Sequence, residues 1–246
     1  MAKLEREFAL RHLDKWEREA EETKCERGKF WEALTFAVIF AMLAFLSVGC
    51  TSATTHYVNP GESTQAAVNA ADPDDTITVR DGIYTENVDV NVDNLTIQSE
   101  NGTTKTIIKA KDPKHPVFYV GGSYVNIIGF TVTGTTYYIT HGGIHIRYDA
   151  KYKADHCNIY NNNCSNNQNG IFVYSSNNIL FNNNCSKNSY SGIYVWGTNT
   201  IYNNNCSNNF FGILVDDSIN NSFYLNNFKN DIISRNSNNV WNSTAK

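Results

Sequence analysis

The chain has 246 residues, enough for one sizeable domain with accessories. Twenty Lys and Arg against 24 Asp and Glu leave a net charge of −4, which supplies no basic field to attract phosphates and disfavours nucleic-acid binding. No Gly-rich phosphate loop or dense basic patch accompanies that balance.

The first 32 residues are rich in charges of both signs, with Ala9, Leu13, Trp16 and Ala20 at helical spacing, and read as a short solvated amphipathic helix. From Ala33 to Gly49 only Thr35 and Ser47 interrupt an apolar run of 17 residues, able to enter a membrane though short for a full span. Residues 33–50 are therefore expected to form a signal or anchor segment. Its end, Leu46-Ser-Val-Gly-Cys50, resembles the lipobox of secreted lipoproteins, which implies a lipid on Cys50. Ser47 stands where a Leu is usual, and the charged region before the apolar run is far longer than in an ordinary signal peptide. Without the lipid, the same segment serves as an uncleaved anchor, with Lys24, Arg27 and Lys29 favouring a cytoplasmic N-terminus. Either way, everything beyond Cys50 faces outward at the cell surface, after a tether over residues 51–56.

Ser63 or Thr64 is expected to cap a short helix that runs through Ala71 and is stopped by Pro73, with a strand at Thr76–Val79. Further on, Asn161-Asn-Asn-Cys-Ser returns at Asn182 and Asn203, so that Cys164, Cys185 and Cys206 lie 21 residues apart. In step with them run Gly170-Ile-Phe-Val, Gly192-Ile-Tyr-Val and Gly212-Ile-Leu-Val, and Ile159, Leu180 and Ile201 each stand five residues before a cysteine. One unit later Phe223 and Phe228 take the two slots. A period of this length marks a solenoid, and short alternating runs bounded by Asn, Ser and Gly mark brief strands. The expected fold is an all-β parallel β-helix of about 21–22 residues per coil, with at least two strands per turn. Equivalent residues then sit about 4.8 Å apart. Asparagine supplies 19 of the 53 residues from Cys157 to Asn209, which suits side-chain ladders and left-handed turns.

The stretch Tyr57-Val-Asn-Pro-Gly through Asp81-Gly-Ile-Tyr-Thr-Glu-Asn87 resembles the opening of right-handed β-helix domains of the NosD type. The likeness continues through Leu95–Gly102, Val117–Val120 and Val125–Gly134 and covers nearly everything from His56 onward. It implies one right-handed coil over residues 57–240 behind a short capping helix, with a tail at 241–246. Two positions depart from the pattern: Asp74 replaces the Gly usual before Asp-Thr-Ile, and Thr64 replaces a usual Ile. The family houses carbohydrate binders, sugar-active enzymes and surface proteins without assigned role, so the resemblance fixes fold more tightly than function.

Among candidate chemical groups the stacked cysteines read as core, because Phe228 continues their ladder and no Cys-x-x-Cys pair exists; no metal site is assigned. Strand alternation places His145, Arg147 and Asp149 on one face as catalytic candidates. Asp216 and Asp217 form the acidic pair at a strand end, suited to a sugar or to calcium, the one cofactor considered. The repeats from Cys157 to Asn209 hold no Asp or Glu, which weakens acid–base proposals there. Tyr174, Tyr194, Trp196 and Tyr202 are expected outside as a platform for sugar rings. Sequons at Asn94, Asn101, Asn220 and Asn242 are expected glycosylation sites, whereas those at Asn163, Asn184 and Asn205 fall in the asparagine ladder.

Three readings follow: a membrane-anchored outward-facing protein that binds glycans or cell-envelope proteins without catalysis; a polysaccharide lyase or hydrolase; and a structural envelope component that self-associates end to end through open coil ends. The N-terminal expectation is checked by mass spectrometry of the mature protein. A lipid on Cys50 or an intact Met1 is the expected result, and recovery of most native protein in the soluble cytosol would exclude both.

Overall fold

The computed structural model describes residues 52–235 and 238–242. The expected anchor over residues 33–50 and Cys50 lie outside the described residues. Among the described residues no helix is long and apolar enough to cross a membrane.

The described chain winds as a right-handed parallel β-solenoid whose coils have three walls where two or more were expected. Among the described residues the first wall has nine strands, from β1 (Thr55–Val58) to β22 (Val240–Asn242), and the second has seven, from β4 (Val88–Val90) to β21 (Asp231–Arg235). A third, narrower wall begins with four strands and ends with two, bridged by Asn163, Asn184 and Asn205. Among the described residues the strand pairs within these walls are all parallel, as expected when each strand meets its equivalent one coil on.

Inward residues stack in registered columns. On the first wall Ile127, Ile159, Leu180, Ile201 and Phe223 succeed one another. On the second, Ile146, Val173, Val195 and Val215 do the same. The third wall carries Ile108, Val132 and Cys164, then Cys185, Cys206 and Phe228. The cysteines thus sit in a column with branched aliphatic and aromatic side chains on either side. All three thiols are fully buried, and burial pushes those of Cys164 and Cys185 well up, which fits small apolar fillers. Phe228 keeps the register but is half-buried, since it lies near the end of the described coils. A Cβ on Gly170 would stand 2.6 Å from the Gly192 carbonyl oxygen and 2.9 Å from the Cys185 Cβ, so the Gly-Ile-x-Val phrase begins with the one residue that lets adjacent coils close.

Asparagine holds the three corners. Between the first and third walls, Asn162 N–H donates to Asn183 Oδ1 (3.0 Å), Asn183 N–H to Asn204 Oδ1 (2.9 Å) and Asn204 N–H to Asn226 Oδ1 (2.9 Å). The same side chains reach back, with Asn183 Nδ2 donating to the Ile159 carbonyl at 2.8 Å and Asn204 Nδ2 to that of Leu180 at 2.9 Å. Asn167, Asn188, Asn209 and Asn230 repeat the arrangement at the second corner, and Asn178, Asn199, Asn221 and Asn239 at the third. Most of these corner residues follow a left-handed residue, among them Asn161, Asn166, Asn177, Asn182, Asn203 and Asn208, a conformation that Asn tolerates. The outer column Asn163, Asn184, Asn205 and Asn227 bonds amide to amide along the surface.

At the N-terminal end Ser63 caps the helix α1 (Thr64–Ala70), its hydroxyl accepting from Ala66 N–H. Both departures from the family pattern leave a trace here. Asp74 occupies the left-handed region at φ 75°, where Gly would be unstrained, and the buried Thr64 Oγ1 has no hydrogen-bond partner.

Asn183→Ala removes the acceptor of the buried Asn162 N–H and the side-chain donor to the Ile159 carbonyl, while Asn204 Oδ1 keeps the backbone N–H of residue 183. At about 1–3 kcal/mol for a buried unsatisfied group, thermal unfolding should fall by about 2 °C or more. Asn184→Ala, on the outer column, should cost less than about 1 kcal/mol in the same measurement.

Candidate functional site

The outer face of the second wall carries two columns of side chains. In the first, Tyr119, His145, Phe172, Tyr194, Leu214 and Ile233 lie in register; Tyr174 and Trp196 pair in the second, one coil beyond Arg147, and Asp216 pairs with Arg235 at its far end. Two excursions interrupt the regular coil here. A loop over residues 134–141 precedes β10 (Gly142–Ile146), and a hairpin closed by a Tyr148–Lys153 antiparallel bridge follows it.

The hairpin explains what becomes of the catalytic candidates. His145 and Arg147 do share the outer face of the wall, but Asp149 has turned into the hairpin tip, where its Oδ1 accepts from Lys151 N–H and Tyr152 N–H, both at 2.8 Å. Those bonds hold its carboxyl below the usual range. Arg147 is 9% exposed, with its guanidinium 3.4 Å from the Tyr152 ring centroid and 4.3 Å from that of Tyr119. Its Nη2 donates to Asn91 Oδ1 across Gly121, where a Cβ would meet Arg147 Nε at 2.6 Å. His145, 6% exposed, is wedged between Tyr119 (4.9 Å) and Phe172 (4.7 Å). Burial, then His141 and Arg147, hold its pKa well below the ordinary imidazole value, so it is neutral at physiological pH. The three residues therefore share a neighbourhood without converging on a common point. Arg147 stacks between the wall's Tyr119 and the hairpin's Tyr152, and Asp149 caps the hairpin turn.

The other acidic candidates are also occupied or apart. Asp216 Oδ2 accepts from the Tyr194 hydroxyl at 2.9 Å and lies 4.0 Å from Arg235 Nη1, while Asp217 is exposed in the following turn at φ 43°.

The aromatic candidates divide by geometry. Tyr202 belongs to the first wall, in a stack of Tyr160, Phe181, Tyr202 and Tyr224 with centroids 4.5, 5.1 and 4.8 Å apart and planes within 9°. Both faces of its ring are covered, so it offers a sugar no stacking surface. Tyr194 points out of the coil, as expected, yet is only 8% exposed, because Tyr190, Phe211, Leu214 and Trp196 gather round it in a second apolar cluster. Burial pushes its hydroxyl up to about 12. Tyr174 and Trp196 form the accessible pair, with centroids 5.3 Å apart and planes at 70°, an arrangement that leaves ring faces free. Tyr174 is 41% exposed, and the Trp196 Nε1 is buried beside the Tyr194 hydroxyl.

Two cavities flank this pair and share both rings. The larger, about 440 Å³, lies between the pair and the hairpin and includes Lys153, Asp155, Ser176 and Asn177 in its lining. The smaller, about 240 Å³, lies over Phe172 and Tyr194 beneath Thr140. Lys153 and Asp155 belong to the charged cluster that the sequence shows over residues 141–156, but nothing in the repeat foretells that the excursion folds back to bring them to this cavity. Of the expected glycosylation sites, Asn94 and Asn220 are exposed in left-handed corners and Asn101 is exposed with its amide donating to Asp81. The Asn242 side chain lies outside the described residues.

Residues 48–246 match the family described as periplasmic copper-binding protein (NosD). The chain belongs to the NosD family. No curated protein matches the sequence. Among solved structures, the alginate lyase from Paenibacillus sp. str. FPU-7 is 19% identical at a TM-score of 0.50, over 70% of this chain and 66% of that one. Pectate lyase Pel9A is 15% identical at a TM-score of 0.43, over 80% and 82% of the two chains. The chain thus spans 66% of the alginate lyase's length, and at these identities the likeness is one of fold. The copper of the family description finds no fitting donor set among the described residues. No three His, Cys, Asp or Glu side chains among these residues converge on one point, and the soft thiols that copper(I) would favour are sealed in the core, where burial pushes those of Cys164 and Cys185 well up.

A lowered imidazole pKa means that the unfolded chain takes up this proton more readily than the folded one. The His145 contribution to stability is therefore complete above about pH 6.5, the unfolded value, and is lost as pH falls below it. His145→Phe, which fits among Tyr119 and Phe172, should flatten that acid loss in thermal melts run between about pH 7 and pH 5.

Proposed function

We propose that this NosD-family protein is an outward-facing binding module for glycans, acting without catalysis. The observation that carries the reading is the Tyr174–Trp196 pair, in register on adjacent coils and bordered on both sides by cavities that share its rings. Flat rings with free faces stack on the apolar faces of sugars, and neighbouring polar groups bond the hydroxyls. Ser176, Asn177, Lys153 and Asp155 supply those groups in the larger cavity. The absence of catalysis is supported by the state of the candidate acids and bases. Asp149 is spent on its turn, Asp216 on Tyr194, and the neutral His145 is buried between rings. General acid–base work needs a group within reach of the substrate proton.

The periplasmic description of the family agrees with a position outside the cytoplasm. We further propose that residues 33–50 hold the protein at the membrane, so that the groove faces glycans or other components of the envelope.

The full chain, kept in mild detergent, is titrated with a panel of glycans by calorimetry. Trp196→Ala and Tyr174→Ala should each weaken binding about tenfold or more, and Tyr202→Ala should leave it unchanged. Turnover of a uronate polymer that His145→Ala or Asp149→Asn abolishes would instead establish the lyase reading.

A further inference from the structure

The two cavities also indicate how a ligand lies. Hairpin residues and Ser175, Ser176, Asn177 and Gly197 line the larger one, and all of these follow the ends of wall strands. Thr140, which precedes β10, and the mid-strand residues Phe172 and Tyr194 line the smaller one. Tyr174 and Trp196 belong to both. A line from one cavity to the other therefore runs along the strands and across the coil axis.

Along the coil axis the ring pair has a charged neighbour on each side instead of another ring. Toward the N-terminal coils, Arg147 fills the position next to Tyr174, with its guanidinium stacked between Tyr119 and Tyr152. Toward the C-terminal coils, the next position is Asp216, bonded to Tyr194 and close to Arg235. Neither residue lines either of these two cavities. Along the strands, the hairpin closes one end and the loop carrying Thr140 stands over the other.

Size and charge narrow the occupant. The larger cavity, about 440 Å³, lies within the usual range for small-molecule pockets and the smaller, about 240 Å³, below it, which together suit a segment of about three sugar rings. The larger cavity presents Lys153 and Asp155 together, so a carboxylate drawn to the ammonium also meets a carboxylate. Asp155 is held ionised chiefly by its hydrogen bond to Ser123, and His156 stands 3.4 Å away. The smaller cavity has no charged side chain in its lining. Hydroxyl-bearing rings suit both spaces; an anionic ring gains in neither.

Building on the glycan-binding reading, we infer that the groove takes a short uncharged oligosaccharide segment of about three rings, laid along the strands and centred on Trp196 and Tyr174. A long polymer threaded along the solenoid axis does not fit this geometry. Chain-length titration of the full chain in detergent, read by calorimetry and Trp fluorescence, tests it with glucose, mannose and N-acetylglucosamine oligomers of one to about six units. Oligogalacturonates of matched length provide the charged comparison.

Affinity for at least one neutral series should climb to about three units and then stay within about twofold, with the matched uronate about tenfold weaker. Asp155→Asn, which keeps a hydrogen-bonding side chain but removes its charge, should narrow that gap at least threefold by strengthening uronate binding relative to neutral binding, about threefold being the change expected. Continued gain through the longest oligomers, or uronate binding as tight as neutral binding, would overturn the inference and leave glycan binding intact. If no oligomer binds in a way that Trp196→Ala abolishes, the glycan-binding reading falls as well.

Discussion

Each regular coil from Asn162 onward depends on turning three corners without leaving buried backbone groups unpaired. A parallel strand of two or three residues cannot bend sharply and also satisfy the amides at the bend, and water does not reach the inside of the corner. The inward asparagine meets the requirement. Its Oδ1 accepts the N–H of the preceding coil, and its Nδ2 returns a bond to a carbonyl there. One side chain thus replaces the solvent that a surface turn would use. Because each such residue is anchored to the coil before it and receives the coil after it, the ladders also fix register. A slip by one residue would break three ladders at once and turn the inward Ile, Val and Cys columns toward water.

That constraint explains what could be read in the amino-acid string. The 21-residue return of Asn-Asn-Asn-Cys-Ser is legible because a corner and the wall after it must recur together, and the Cys164–Cys185–Cys206 column follows at once. The asparagines could be expected to ladder, but the letters do not distinguish Asn183, buried in a corner, from its neighbour Asn184 on the surface. Only the left-handed Asn182 before them decides which points inward. The third wall was likewise hidden, since in the repeats it is a strand of two residues and carries no alternation of its own.

The site was legible in part. Tyr174 and Trp196 follow from strand alternation, and so do Tyr194 and Tyr202, yet the four behave differently. Period-two alternation says which residues leave the core. It does not say whether a ring that leaves the core finds neighbours with which to stack. Tyr202 meets Phe181 and Tyr224 face to face because identical positions on successive coils sit one strand spacing apart, close to the thickness of stacked rings. On the second wall the residues differ from coil to coil, the rings tilt, and faces stay free. Strict repetition builds a covered stack, and variation builds a surface.

The same logic places the groove. The ladders tolerate insertions between strands so long as the inward asparagines and wall columns resume in register, and the coil that carries His145 holds two such insertions. Neither could stand over the wall without an anchor. For the hairpin, Arg147 provides it: the guanidinium lies flat on the wall's Tyr119 and under the hairpin's Tyr152, with room made by the missing side chain of Gly121. A lysine would carry the same charge but present no plane to stack between two rings. Arg147, which stands beside a histidine and an aspartate in the sequence, here joins the wall to its excursion, and the Tyr174–Trp196 pair lies one coil further on.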